Sequence, residues 1–441
     1  MNVLGRMEAA APAARTGIYH GWLVVGAAFL IAVFGWGIGF YGAGVYLVAL
    51  HQRHGWPTAD ISSAITSYYL LGATLILFAG GTFERFGARR VVSTGATAMA
   101  CGAVLLTFVW RPWHVYVAFA VMSVGWAAMS GAAINIIIAP WFDRRRGLAI
   151  SLALNGASAG GVVIAPLLVF LIRRLDFTAA VCCVAALMLM IVLPTAAFIL
   201  RHKRPGERDA ADDGCEPPRA QPPVPVRAAP APPWQLSTVL RSSHFQSMSA
   251  SFALGLMMQV GFLTHQVAYL SPILGPIATA WAVSLTTSAA VAGRLLVGLF
   301  VDRCDRRVVA LGNFLVQAAG TALLAANPSA QMLFLGCILF GLGVGNLVSL
   351  PGLIVQQEFP QQHFSRVVGL IVAINQFVFA FGPGLLGFLQ QATGDYTIAL
   401  VACFIVEVTA AMIVIFPRVS HLFGKRDKSR DASIRSPDGA S

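Results

Sequence analysis

Gly80-Gly-Thr-Phe-Glu84-Arg85-Phe-Gly87-Ala-Arg89-Arg90, set between the second and third long apolar runs, returns late in the chain. Between the eighth and ninth runs it reads Gly298-Leu-Phe-Val-Asp302-Arg303-Cys-Asp305-Arg306-Arg307. Each copy has a glycine, an acid four residues on, an Arg at once, and then a pair of Arg. A stretch this charged between two hydrophobic segments is expected in a tight loop at a membrane surface. Its recurrence marks the chain as two copies of one unit. The paired Arg alone would suit any loop on the positive side of a membrane. The glycine, the acid and their spacing recurring together ask for more.

Composition sets the class. Of the 441 residues, 57% are hydrophobic and 11% charged, more apolar surface than a soluble domain could cover, so a polytopic membrane protein is expected. The net charge of +12 does not point to nucleic acid, because Lys and Arg fall in short clusters between apolar runs with no interleaved aromatic patch. The Ala-rich start precedes the first apolar run instead of following it, which is not the order of a cleavable signal peptide. Seven cysteines form no C-x-x-C and no Cys/His cluster with metal-ligand spacing, so neither a metal nor a cofactor is expected.

A bilayer is spanned by ~20 apolar residues, and twelve runs qualify. They lie near 22–48, 61–83, 91–110, 114–139, 147–172 and 179–200, then 245–270, 277–301, 308–326, 332–355, 368–390 and 398–416. With the N-terminus inside, the basic clusters at Arg85/Arg89/Arg90, Arg144/Arg145/Arg146, Arg201/Lys203/Arg204 and Arg303/Arg306/Arg307, and the tail from Arg418, all share one side. Only Arg53, Arg111, Arg173 and Arg174 fall opposite. Both termini are therefore expected in the cytoplasm. The connection 201–241, with a small acidic group and a Pro/Ala-rich stretch, reads as a flexible linker. It separates an N-terminal tail (1–19) and six-helix bundle (20–200) from a second bundle (242–417) and a cytoplasmic tail (418–441). Glu84 and Asp302, Phe142 and Phe359, Asn155 and Asn375, and Pro166 and Pro383 pair at separations of 217 to 220 residues.

The repeated loop resembles the G-x-x-x-D-R-x-G-x-R-R pattern that the major facilitator superfamily carries after its second and eighth helices. The first copy has Glu84 for the Asp; the second has Asp305 for the later glycine, and its Arg pair comes one residue early. The resemblance implies two parallel six-helix repeats with a substrate site between them near the midplane. It also implies a conformational latch that favours one access state, carried here by Gly80, Glu84, Arg85, Arg89 and Arg90, and by Gly298, Asp302 and Arg303. Structural anchoring is the plainer role for the same residues.

The fifth run opens after Trp141-Phe142 and carries Gly147, Gly156, Gly160 and Gly161, small residues that let helices approach closely. Drug/proton antiporters of the superfamily have glycines at this spacing, followed by Pro and later Gly-Gly. This chain has Gly161 where the Pro belongs and Ile164-Ala165 where the pair belongs, which weakens a drug-efflux reading.

Arg294, in Ala289-Ala-Val-Ala-Gly-Arg294-Leu-Leu-Val-Gly298, is the informative charge. Buried in a bilayer it costs at least ~2.5–3.5 kcal/mol unless it meets a cavity or partner. It either snorkels to the interface or lines a cavity and holds a carboxylate through paired hydrogen bonds. Gly-Arg-x-x-x-Gly resembles the eighth helix of the monocarboxylate-transporter and oxalate/formate-type carriers. So do His20-Gly21-Trp22-Leu-Val-Val25, Gly55-Trp56-Pro-Thr-Ala-Asp60-Ile61-Ser62 and Thr264-His265-Gln-Val-Ala-Tyr269-Leu270. In that family the eighth-helix Arg binds the substrate carboxylate, a role the resemblance implies for Arg294. Many animal members have an Asp one turn earlier, where this chain has Ala290, and a Lys in the first helix, where this chain has none. With one cation, a monoanion suits the cavity better than a dianion.

Further polar candidates for the cavity are Tyr41, Tyr46, Asn135, Gln259, His265, Asn346 and Asn375. Glu407, in the twelfth run, is the other intramembrane charge and a candidate proton site; an interface or packing role competes. His265 is a second candidate proton carrier, against the alternative of a hydrogen-bonded neutral ring. The glycines from 35 to 44 either make the first helix bendable or serve tight packing.

The expectation is an all-α membrane protein of twelve transmembrane helices in two pseudo-repeated six-helix bundles, multi-pass in the cell (inner) membrane. It would work as a monomer and move a small organic anion, a monocarboxylate, by alternating access, through proton coupling or anion exchange. Proton-driven efflux of amphiphilic drug-like compounds is the alternative. No nucleophile–base pair or metal cluster suggests an enzyme.

Overall fold

The computed structural model describes residues 19–142, 145–201, 236–301, 303–326, 329–360 and 363–434. Asp302 of the second motif, Asp143 and Arg144 of the basic cluster, and most of the expected linker and both chain ends lie outside them. Helix is the regular structure of the described residues. α1 (His20–Trp36) passes through a π turn (Gly37–Tyr41) into α2 (Gly42–His54), followed by α3 (Thr58–Leu77), α4 (Ala79–Leu105), α5 (Pro112–Met129), α6 (Gly131–Ile138), α7 (Arg146–Arg174) and α8 (Phe177–Phe198). Then come α9 (Leu236–Arg241), α10 (Ser243–Phe300), α11 (Arg306–Ala325), α12 (Ala330–Val344), α13 (Asn346–Glu358), α14 (Phe364–Phe379), α15 (Gly382–Thr393) and α16 (Thr397–Ile434). The short α9 lies within the stretch expected to be linker, and α16 runs on past residue 417 into the expected tail.

Ten helical spans are long and apolar enough to cross a membrane. The first span, His20–His54, has 35 residues. At ~1.5 Å rise per residue it exceeds a ~30 Å hydrocarbon core and must tilt or protrude. Two glycines explain why ten differs from the expected count. Within α10, Gly275 has φ 76° and ψ 164°, a conformation essentially confined to glycine, and it bends the 58-residue helix between the two runs expected at 245–270 and 277–301. Gly87 does the same in α4 with φ 77° and ψ 153°. The first motif is therefore no open loop: it is helical on both sides of Gly87, and its Arg89 and Arg90 lower the mean hydropathy of the segment that follows.

Packing rests on glycines at helical spacing. A Cβ on Gly156 would lie 2.2 Å from Phe29 O, and one on Gly160 2.3 Å from Val33 O, so the α7 backbone lies directly on α1. Gly293 of α10 sits as closely on Leu342 O of α12. Glycines of α1 and its π turn also serve packing: Gly35 faces Met129 and Gly37 faces Ile164. We expect Gly160→Val to force α1 and α7 apart at a cost of about 1–3 kcal/mol, read as a lower melting temperature of the detergent-solubilised protein. An unchanged melting temperature would show that the helices part freely.

Helices on either side of the 201–236 stretch meet along defined contacts. Gly384 N–H donates to Thr66 Oγ1 at 2.9 Å, joining α15 to α3, while Gly44 of α2 lies against Thr264 O of α10. Arg307 is fully buried where α10, α11, α13 and α16 converge. Its Nε and Nη2 donate to the two carboxylate oxygens of Glu358 at 2.6 and 2.7 Å. Nη1 donates to Ser247 Oγ and Val414 O, and Nη2 also to His244 O.

Candidate substrate-binding site

Arg294 leaves α10 half-buried and crosses to the helices before residue 201. Its Nη1 donates to Asn155 Oδ1 of α7 at 2.9 Å, and its Nε donates to Gly345 O, between α12 and α13, at 3.4 Å. Both partners are neutral, and among the described residues no carboxylate reaches it. The geometry is not that of a side chain reaching for the membrane surface. A guanidinium held by one amide and one carbonyl keeps further N–H donors for an anion.

About two turns from Arg294 on α10, Thr287 meets Tyr41 at Gly161: a Cβ on that glycine would lie 2.4 Å from Thr287 Cγ2 and 2.7 Å from Tyr41 Cε2. Ser284 Oγ donates to Val162 O at 3.4 Å. The π turn is what aims Tyr41 here, because a wide turn rotates the residues that follow it; such turns recur at functional sites.

The other candidates divide. Tyr46 packs on Phe177 at 6.4 Å, and Asn135 donates to Gly131 O one turn back; the structure brings neither to Arg294. Gln259 accepts from Gln317 at 3.1 Å, and Asn346 donates to Asn313 Oδ1 at 2.9 Å. These two belong to a buried polar core of α10–α13. Asn375 is buried on α14 with its Oδ1 unpartnered. His265 Nε2 faces Pro383 O and Nδ1 faces Tyr396 OH, each at 2.9 Å. A neutral ring protonated on Nε2 satisfies both, so this geometry favours the structural role. Glu407 is fully buried; its Oε2 accepts from Thr321 Oγ1 at 3.3 Å, and its Oε1 has no partner. Asn155, the direct partner of Arg294, stands out in the sequence through its pairing with Asn375 and as a polar residue of the fifth run.

A family model described as Major Facilitator Superfamily matches residues 25–275 and 243–436. The chain belongs to the major facilitator superfamily. Monocarboxylate transporter 13 of Rattus norvegicus is 24% identical over 431 residues, covering 95% of this chain and 94% of its own. Monocarboxylate transporter 11 of Homo sapiens is 26% identical over 404 residues, covering 86% and 78%. Among solved structures, the nucleoside transporter NupG superposes with a TM-score of 0.70 at 14% identity, covering 90% of this chain and 99% of that one. A bacterial homologue of the human lysosomal transporter Spinster, in an inward-facing and occupied conformation, gives 0.62 at 12%, covering 92% and 97%. At these identities the solved structures show the fold alone.

As a superfamily member the protein is a multi-pass membrane transporter and not an enzyme, and it takes a small-molecule substrate. Glu84, Arg85, Arg89, Arg90 and Arg303 are exposed, and among the described residues none of them makes an ion pair. Arg85 lies over the ring of Phe86 at 5.3 Å. A Cβ on Gly80 or Gly298 would meet no atom within 4 Å.

Proposed function

We propose that the protein is a secondary active transporter of a small organic monoanion, a monocarboxylate, with Arg294 as the group that holds the carboxylate. The observation that carries this reading is a half-buried guanidinium set between α7 and α10 with neutral partners only. The names of its monocarboxylate-transporter relatives agree. The first helix lacks the Lys that many animal members of the resembled group carry, which favours one negative charge over two.

The proposed architecture is twelve transmembrane helices in two bundles, 20–200 and 242–417, joined by a cytoplasmic linker, with both termini cytoplasmic in the cell membrane. Division of α10 at Gly275, together with the segment of α4 after Gly87, brings the ten long spans to twelve. The Thr66–Gly384 contact, set against exposed Glu84, Arg85, Arg89, Arg90 and Arg303 that make no ion pair among the described residues, supports a state open on the side of Glu84 and Arg303. In the opposite state these residues and Asp302 would close as the latch.

Glu407 is the proposed proton site. A carboxylate charge buried without a partner is costly, so this is where a carried proton would be held. Glu407→Gln is expected to make uptake indifferent to an inward proton gradient while leaving exchange of internal for external anion. A variant that still responds to the gradient like wild type would remove Glu407 from coupling.

Uptake of radiolabelled carboxylates into proteoliposomes by wild type and Arg294→Gln tests the substrate class. Saturable uptake lost in the variant supports it. Normal transport by the variant would turn attention to amphiphilic efflux substrates.

A further inference from the structure

α15 begins without a cap of its own. Leu385 N–H makes the first intrahelical bond, to Phe381 O at 2.9 Å, so the N–H groups before it need other acceptors. Ser, Thr, Asp or Asn at the N-cap usually supplies one. Here that position holds Phe381, whose side chain makes no capping hydrogen bond. Pro383 has no N–H to satisfy. Gly384 does, and its N–H donates at 2.9 Å to Thr66 Oγ1 of α3, a residue 318 positions away. The cap comes from the helices on the other side of the 201–236 stretch.

The turn that carries the donor is fixed to α10. His265 Nε2 faces Pro383 O at 2.9 Å, from a buried ring whose Nδ1 faces Tyr396 OH. A Cβ on Gly382 would lie 2.1 Å from Met257 O, so the backbone of the turn lies directly on that of α10. The acceptor, by contrast, moves with α3. Ser62, Thr66 and Tyr69 share one face of α3 by their spacing. A Cβ on Gly387 would lie 2.3 Å from Ser62 Oγ, and Tyr69 meets Phe379 edge-on at 5.5 Å. The bond therefore sits in the middle of a close seam between the two sets of helices.

We propose that Thr66 is a latch residue, which caps α15 in trans and holds shut the face opposite Glu84 and Arg303. The bond exists only while α3 and α15 touch. When the seam parts, Gly384 N–H loses its acceptor, so the closed seam is favoured by the strength of one helix cap. It opposes the motif residues, which would close the other face, and the two latches are never made together. His265 acts through Pro383 as a positioning residue for the turn. This rests on the reading of the structure as open on the side of Glu84 and Arg303.

Amide hydrogen exchange, read by mass spectrometry on the full-length protein in lipid nanodiscs, tests the latch. Thr66→Val nearly keeps the shape of the side chain and removes the acceptor, and Thr66→Ala removes it without the second methyl. Loss of an N-cap acceptor corresponds to about a 2- to 30-fold change in an equilibrium, and exchange through opening follows the open population. Both variants should raise exchange in the first turn of α15 and the facing part of α3 by that factor, and lower it around Glu84–Arg90. Thr66→Ser, which keeps the acceptor, should stay within about twofold of wild type. Gly387→Ala, whose added Cβ meets Ser62, should part the same seam without touching the cap. A rise confined to α15, with no fall around Glu84–Arg90, would make the bond a local cap and overturn the latch. A serine variant that behaves like valine would overturn it too. If Gly387→Ala shifts the two faces in opposite directions and neither Thr66→Val nor Thr66→Ala does, the latch falls and the access-state reading stands. If no variant lowers exchange around Glu84–Arg90, both fall.

Discussion

Arg294→Gln is expected to lower kcat/KM for carboxylate uptake by about 30- to 4,000-fold, the equivalent of roughly 2–5 kcal/mol for a charge-assisted contact in a desolvated site. Glutamine keeps a donor for Asn155 Oδ1, which accepts from Arg294 at 2.9 Å, so the loss falls mainly on the anion and not on the α7–α10 contact. Arg294→Lys preserves the charge and discards the planar fork, and it should sit between the two. Asn155→Ala removes one neutral hydrogen-bond partner and is expected to cost only about 0.5–1.5 kcal/mol. Initial rates over a range of substrate concentrations separate these outcomes. Equal rates for Arg294→Gln and wild type would mean that the guanidinium serves packing alone.

The second large effect lies away from the transport path. Glu358→Leu removes the acid that takes two charge-assisted hydrogen bonds from the fully buried Arg307 and leaves a cation among α10, α11, α13 and α16. Stranding one member of a buried pair costs about 3–5 kcal/mol, whereas replacing both members by apolar residues is often neutral. The single variant should therefore show a marked drop in melting temperature and in yield of monodisperse protein, and Arg307→Met with Glu358→Leu should recover much of both. His244 Nδ1 also lies 3.0 Å from Glu358, but its 41% exposure lets solvent compensate for the lost contact. A single variant as stable as wild type would show that water reaches Arg307.

The spans were legible because apolar runs separated by charge and glycine are a strong signal. Even the bend at Gly275 falls in the gap between the two expected runs. What local pattern could not show is orientation about a helix axis. Arg306 and Arg307 read as one basic pair. In the structure Arg306 donates outward to Leu353 O and, at 3.4 Å, to Gln356, while Arg307, turned by one residue, is buried on Glu358. Tyr41 and Tyr46 look alike in sequence, yet Tyr41 faces Thr287 and Tyr46 faces Phe177.

Partners far along the chain were equally hidden. Asn155 and Arg294 are 139 residues apart, and nothing near Asn155 announces an anion site. The charges themselves, Arg294 and Glu407, could be singled out in advance because a bilayer makes every buried charge conspicuous.

Counterflow in proteoliposomes tests the central claim most directly, since it needs neither an assumed coupling ion nor an assumed direction. Vesicles are loaded with an unlabelled monocarboxylate and diluted into its radiolabelled form. An Arg294-dependent carrier predicts transient, saturable accumulation of label above that in protein-free vesicles, and none with Arg294→Gln. Accumulation at the protein-free level across a panel of monocarboxylates, or equal accumulation by the Arg294→Gln protein, would contradict it.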